Sequence, residues 1–196
     1  MKRPLSRRTR VLLPVGTTAV VVLVLLVLGA AGTTTRRPIP ISASVLSPQV
    51  ARSMGFTETL QRVKTEAVTA EKGCSSSTEA IYGSATTETG LISDVLTCQS
   101  DAAAAAALQS ARKQSTVDSS ITVPKVLRSS AFGSSNPPEF SIVWQAGPRV
   151  AVTTFDVAVT KASGSTSLYP LSSTQSHTLV VAALEQNSLY QSTRNG

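Results

Sequence analysis

The chain is poor in the residues that carry most enzyme chemistry. It holds one histidine (His177), one tryptophan (Trp144) and two cysteines (Cys74 and Cys98), and aromatics make up 4% of its 196 residues. Two cysteines and one distant histidine do not supply the four ligands of a structural zinc site. A Ser–His–acid triad would have to use His177, which sits in a Ser-rich stretch, and no serine lies in a Gly-x-Ser-x-Gly elbow. The phosphate-binding Gly-x-x-x-x-Gly-Lys-Ser/Thr loop, the dinucleotide glycine fingerprint and the Asp-rich calcium loop are all missing. Glu88, Asp94, Asp101, Glu139 and Asp156 show no ordered spacing of the kind paired-carboxylate hydrolysis uses. Asp101 reads as a helix cap and Asp156 as a solvent-facing strand residue. These gaps predict no catalytic residue, no cofactor and no metal, and they leave an envelope hydrolase or transferase using His177 or unpaired carboxylates as the minority reading.

Charge is missing in one place above all. No charged residue lies between Arg10 and Arg36, and Val11–Gly32 reads VLLPVGTTAVVVLVLLVLGAAG. That is long enough to cross a hydrocarbon core of about 30 Å, for which a helix needs roughly 20 apolar residues. Lys2, Arg3, Arg7, Arg8 and Arg10 precede the run, and Arg36 and Arg37 follow it. The positive-inside rule keeps the N-terminus cytoplasmic and sends the rest outward. The run exceeds an ordinary signal-peptide core of about 7–15 residues, although Gly29-Ala30-Ala31 would serve as a cleavage site. An uncleaved signal anchor is therefore favoured over a cleaved signal. The net charge of +7 belongs to this segment, because residues 38–196 carry 11 basic and 11 acidic side chains. A neutral domain with scattered Lys and Arg excludes nucleic acid as a partner.

The expected organisation is a basic cytoplasmic tail (1–10), a transmembrane anchor (11–32), an extended spacer with Pro38-x-Pro40 (33–46) and one extracytoplasmic domain (47–196). Outside the cytoplasm an even cysteine count argues for a Cys74–Cys98 disulfide, the alternative being two free buried thiols.

Within the domain, Ser47-Pro48 reads as a helix start and Gly55 as its end. Residues 57–69 fit either a helix or a strand. Gly73 and Ser75–Ser77 read as a loop around Cys74. Leu91–Cys98 suits a strand, and Ala102–Lys113, with six consecutive alanines, a helix. Ile121 and Val123 suggest a short strand, and Gly133–Pro138 a loop. Phe140, Ile142 and Trp144 alternate, a turn follows at 145–148, and Arg149–Val159 returns with Ala151, Phe155, Val157 and Val159 on one face, which makes a hairpin. Residues 161–176 form a polar loop holding Tyr169, and Thr178–Gln191 a final helix. Helices mixed with hairpins imply an α+β fold, a single domain with an antiparallel sheet packed by helices. Trp144, Tyr169 and Tyr82 are the candidate binding residues. Trp144 is weighed against a core role, and any groove is expected beside the hairpin near Tyr169.

Several segments resemble a known module: Met54-Gly55 closing a short helix, Cys74 followed by IYGS at 81–84, VLTCQSDAAAAAAL at 95–108, and FSIVWQAGPRVAV at 140–152 before a terminal helix with Gln186 and Gln191. Over Ser47–Gln191 the pattern resembles exported actinobacterial domains found on lipoproteins and as extracellular sensor domains of serine/threonine kinases. The resemblance implies an α+β sandwich, a cell-envelope location, a ligand- or partner-binding role and no catalytic residue. The expected partners are the membrane, through a single span, and an envelope protein or small ligand. A further reading makes the chain an accessory subunit of a membrane complex, with the span as the contact.

Overall fold

The structure is a computed structural model that describes residues 44–68, 71–87, 89–157 and 171–194. The predicted tail and span, most of the spacer, Tyr169 and Val159 lie outside the described residues. Among those described, no helix is long and apolar enough to cross a membrane.

Six antiparallel strands form one sheet in the order β1-β2-β3-β6-β5-β4: β1 Glu58–Ala67, β2 Cys74–Gly83, β3 Thr89–Cys98, β4 Ala131–Asn136, β5 Glu139–Ala146 and β6 Arg149–Val157. Helix α1 is Pro48–Ser53, α2 is Asp101–Gln114 and α3 is Ser173–Arg194. The α+β expectation holds.

The strand period of two divides the core between the two faces of the sheet. One face presents Ala80, Tyr82, Leu91, Val95, Phe140, Ile142, Trp144, Ala151 and Phe155. Val45, Leu46, α1, Phe56 and α3 cover it, α3 through Leu179, Ala182, Ala183 and Tyr190. Phe56 meets Phe155 edge to face, with ring centroids 5.8 Å apart, a favoured aromatic geometry. The other face presents Leu96, Phe132, Val143, Val150 and the cystine to α2. In α2, Ala104, Ala107, Leu108 and Ala111 point inward at helical spacing, and their small side chains let the helix lie close to the sheet. The result is three layers with the sheet in the middle.

Several local expectations match. Ser47 caps α1, accepting from the Val50 N–H at 3.3 Å, with Pro48 at the first helical position. The β5–β6 hairpin turns at Gly147, whose φ of 58° suits glycine. Within the ambiguous stretch 57–69, Glu58–Ala67 form strand β1.

Other expectations are corrected. The cap of α2 is Ser100, which accepts from the Ala103 N–H at 3.1 Å, and Asp101 is the first residue inside the helix. Ser75–Ser77 is not a loop but part of β2, paired with β3 through Ser76↔Thr97 and Ser77↔Leu96. Gly133–Pro138 is likewise strand β4 as far as Asn136, paired with β5 and followed by a turn with a cis Pro137–Pro138 peptide. Ile121 and Val123 lie outside any strand; Ile121 folds over the β4 edge into the core. The core also begins before Ser47, since Val45 and Leu46 are buried and the Leu46 N–H donates to Ser93 Oγ at 3.0 Å.

Gly133 is required by that packing. A Cβ there would stand 2.6 Å from Ile121 Cβ and 3.0 Å from the Asp118 carbonyl oxygen. We expect Gly133→Ala to destabilise the domain by about 1–3 kcal/mol through overpacking. Urea unfolding checks this, and an unchanged midpoint would mean that Ile121 is free to move aside.

Candidate functional site

Three features carry polar or exposed chemistry, and each follows from the sheet register. The first is the β1 edge. Every residue of β1 except Gln61 is exposed, and the register with β2 slips between Thr59 and Gln61 and again between Gln61 and Lys64. Leu60 is 60% exposed and Val63 40%. Lys64 and Glu66, two residues apart, form a solvent-exposed ion pair, of the kind that contributes little. Beside the edge runs a groove of about 520 Å³ lined by Pro48, Thr59, Arg62, Val63 and Tyr82, within the size range of ligand sites.

The second feature is a crevice of about 10 Å³ between the sheet and α3. Ser44, Val95, Trp144, Ala146, Arg149, Ala151, Gln186 and Tyr190 line it. Trp144 is 1% exposed, and its Nε1–H has no hydrogen-bond acceptor. Arg149 is 7% exposed, and its guanidinium lies over the Tyr190 ring at 5.3 Å. Burial pulls the Arg149 pKa down, and Tyr190 opposes that shift. Gln186 makes two hydrogen bonds: its Oε1 accepts from Thr153 Oγ1 at 2.6 Å and its Nε2 donates to the Asp94 carbonyl at 3.1 Å.

The third feature is a set of buried carboxylates on the α2 side of the sheet. Asp94 accepts from Ser77 Oγ at 2.6 Å. Burial pushes its carboxyl up to about 7, against the pull of Ser77, and Glu79 across the strand pair adds to the rise. Glu139, 4% exposed, lies opposite Asp156 on the β5–β6 ladder. Burial, then the charge of Asp156, takes Glu139 to about 7, and burial also raises Asp156. One oxygen of each has no partner. Asp156 is thus half-buried and paired in register with a second acid, not the solvent-facing residue its alternation suggested. Among the described residues, no group of three or more His, Cys, Asp or Glu side chains is arranged to hold a metal.

The predicted binding residues do not converge. Tyr82 is among the residues lining the edge groove and is otherwise core, with its hydroxyl donating to the Leu46 carbonyl. Trp144 is core and lines the crevice. Strands β3 and β6 separate them, which puts the two strands roughly 14 Å apart. Tyr169 lies outside the described residues. His177 is exposed in the first turns of α3, and its side chain makes no hydrogen bond or ion pair among the described residues. Cys74 and Cys98 are joined in a disulfide, opposite one another on the β2–β3 ladder. Arg149 and Gln186 escaped the functional reading of the sequence, yet a signal existed. Arg149 shares the inward parity of Ala151 and Phe155, and Gln186 sits on the helical stripe of Leu179, Ala183 and Tyr190.

No protein-family model matches the chain, and no curated protein sequence matches it. One solved structure, the extracellular domain of PknH from Mycobacterium tuberculosis, is similar over 83% of this chain and 100% of its own length, at 10% identity and a TM-score of 0.46. The likeness is in keeping with the resemblance noted over Ser47–Gln191, and at this score it carries no weight for function.

Proposed function

We propose that the chain is a single-span, membrane-anchored protein of the cell envelope. Its outward domain binds an extended segment of a partner protein along the β1 edge and does no chemistry. The observation that carries the binding role is the exposed, apolar-tipped β1 edge with a groove beside it. An unpaired strand edge offers backbone donors and acceptors for strand addition, and adjacent pockets read alternate side chains. The outward placement draws support from the basic cluster before residues 11–32 and from the Cys74–Cys98 bridge, a bond that persists in oxidising compartments.

The test is cross-linking in intact cells with the full-length chain, with a secreted form lacking residues 1–32, and with full-length Leu60→Lys/Val63→Glu. A partner captured by the first two and reduced at least tenfold by the double variant is the expected result; both positions are exposed, so the fold tolerates the changes. A partner held only by the full-length form would favour the accessory-subunit reading, in which the apolar run makes the contact. Capture unaffected by the double variant would remove the β1 edge from the site. An envelope phenotype lost in a folded His177→Ala variant would argue for the hydrolase instead.

A further inference from the structure

The groove beside β1 owes its lining to the second register slip. From Gln61 to Lys64 the strand advances three residues while β2 advances two, from Ile81 to Glu79, so Arg62 and Val63 together oppose Ala80. A bulge of this kind re-aims side chains. Neighbouring residues of a regular strand point to opposite faces, yet Arg62 and Val63 both line the groove, with Thr59, Tyr82 and Pro48 of α1. Hydrogen bonds pin the slip on both sides: Gln61 Nε2 donates to Glu79 Oε1 at 2.8 Å, and the Thr65 and Thr78 hydroxyls meet at 3.0 Å.

The groove therefore joins apolar surface to one sign of charge. Pro48, Val63 and Tyr82 supply the first, and Arg62 is the one charged residue of the lining. The neighbouring acids are turned elsewhere. Glu66 pairs with Lys64, Glu79 holds Gln61, and Glu58 directly precedes Thr59 and so lies on the opposite face. Among the described residues the Arg62 guanidinium has no ion pair. Arg62 is the fifth of ten residues in β1, so a segment laid along the edge passes it and does not end there.

Resting on the edge-binding reading above, we propose that the partner's extended segment presents an internal Asp or Glu side chain to Arg62 and, two residues away, an apolar side chain to Pro48, Val63 and Tyr82. Guanidinium and carboxylate match fork to fork, and residues two apart share a face of an added strand. Backbone pairing gives affinity for any extended segment, and the charge selects among them.

The test pans a random peptide library displayed on phage over the full chain in detergent, and over Arg62→Ala, Arg62→Glu and Leu60→Lys/Val63→Glu; all three positions are exposed. Peptides enriched by the unaltered chain should carry an acid two residues from an apolar side chain. In a synthetic copy, replacing that acid by its amide should weaken binding about three- to fivefold. Arg62→Ala should erase the preference, and Arg62→Glu should turn it towards Lys and Arg. Peptides lost with the double variant but indifferent to Arg62→Glu would keep the edge and overturn the acidic partner. No enrichment, or enrichment that the double variant leaves unchanged, removes the edge itself and this inference with it. Self-association of the chain that Arg62→Glu abolishes would seat a second copy in the groove and overturn the proposal.

Discussion

Reducing the Cys74–Cys98 bond is expected to lower the stability of the domain by about 3–4 kcal/mol, the chain-entropy value for a loop of this length. The cysteines are 24 positions apart and meet as register partners where β2 begins and β3 ends. Both are buried, in one cluster with Val68, Leu96 and the inner face of α2. The bridge therefore restrains the unfolded chain and also fills space beneath the helix. Paired Cys74→Ala/Cys98→Ala substitutions should lose the entropic part and some packing as well, which makes them no milder than reduction. Urea unfolding with and without reductant is the measurement. A loss below about 1 kcal/mol would mean that the β2–β3 ladder already holds the unfolded chain nearly as tightly as the covalent bond does.

The second large effect is a fall in stability as pH rises from about 4 to about 7. Asp94 and Glu139 both have carboxyls raised to about 7 in the fold, chiefly by burial. Their ordinary values are near 4. At pH 5 each is protonated in the fold and ionised in the unfolded chain, so the folded state binds more protons. Stability is then fully present below pH 4, decreases through the window, and levels off above 7. The rise of the Asp94 carboxyl from its ordinary value to about 7 is worth on the order of 4 kcal/mol. Glu139 adds to this in the same direction. Unfolding midpoints at pH 4.5 and pH 8 give the slope, and Asp94→Asn should flatten it by about half while stabilising the protein at pH 8. A slope that survives both Asp94→Asn and Glu139→Gln would show that these carboxyls ionise in the fold near their ordinary values.

Where the sequence was legible, one residue type repeated at one period. Phe140, Ile142 and Trp144 announce β5 by alternation, and the alanine run announces α2 by propensity. Strands β2 and β4 were opaque because their inward positions are small or polar. Thr78 and Ala80 are completely buried in β2, yet neither reads as apolar strand material beside Ser75–Ser77. Gly133 interrupts β4 because Ile121 occupies the space its side chain would take, and that neighbour is set by tertiary packing. The site suffered the same way. Aromatic identity drew attention to Trp144 and Tyr82, while the register that separates them, and that brings Arg149 to Trp144 and Glu139 to Asp156, depends on which strands are neighbours.

The sheet order has a consequence for how the chain reaches its fold. Four of its five ladders join strands adjacent in sequence: β1–β2, β2–β3, β4–β5 and β5–β6. The β3–β6 ladder alone joins distant ones. Most pairing therefore closes short loops at small entropic expense, and the long-range closure is concentrated in one seam down the middle of the sheet. Each half of the chain can assemble its own three-stranded meander before the halves meet. Zipping β3 to β6 is then the step expected to set the folding rate, and substitutions along that seam should slow refolding more than those at the β1 edge. The disulfide and the β1 edge lie wholly within the first half, and the Arg149–Trp144 crevice draws on both sides of the seam, so it comes into being only when the seam closes.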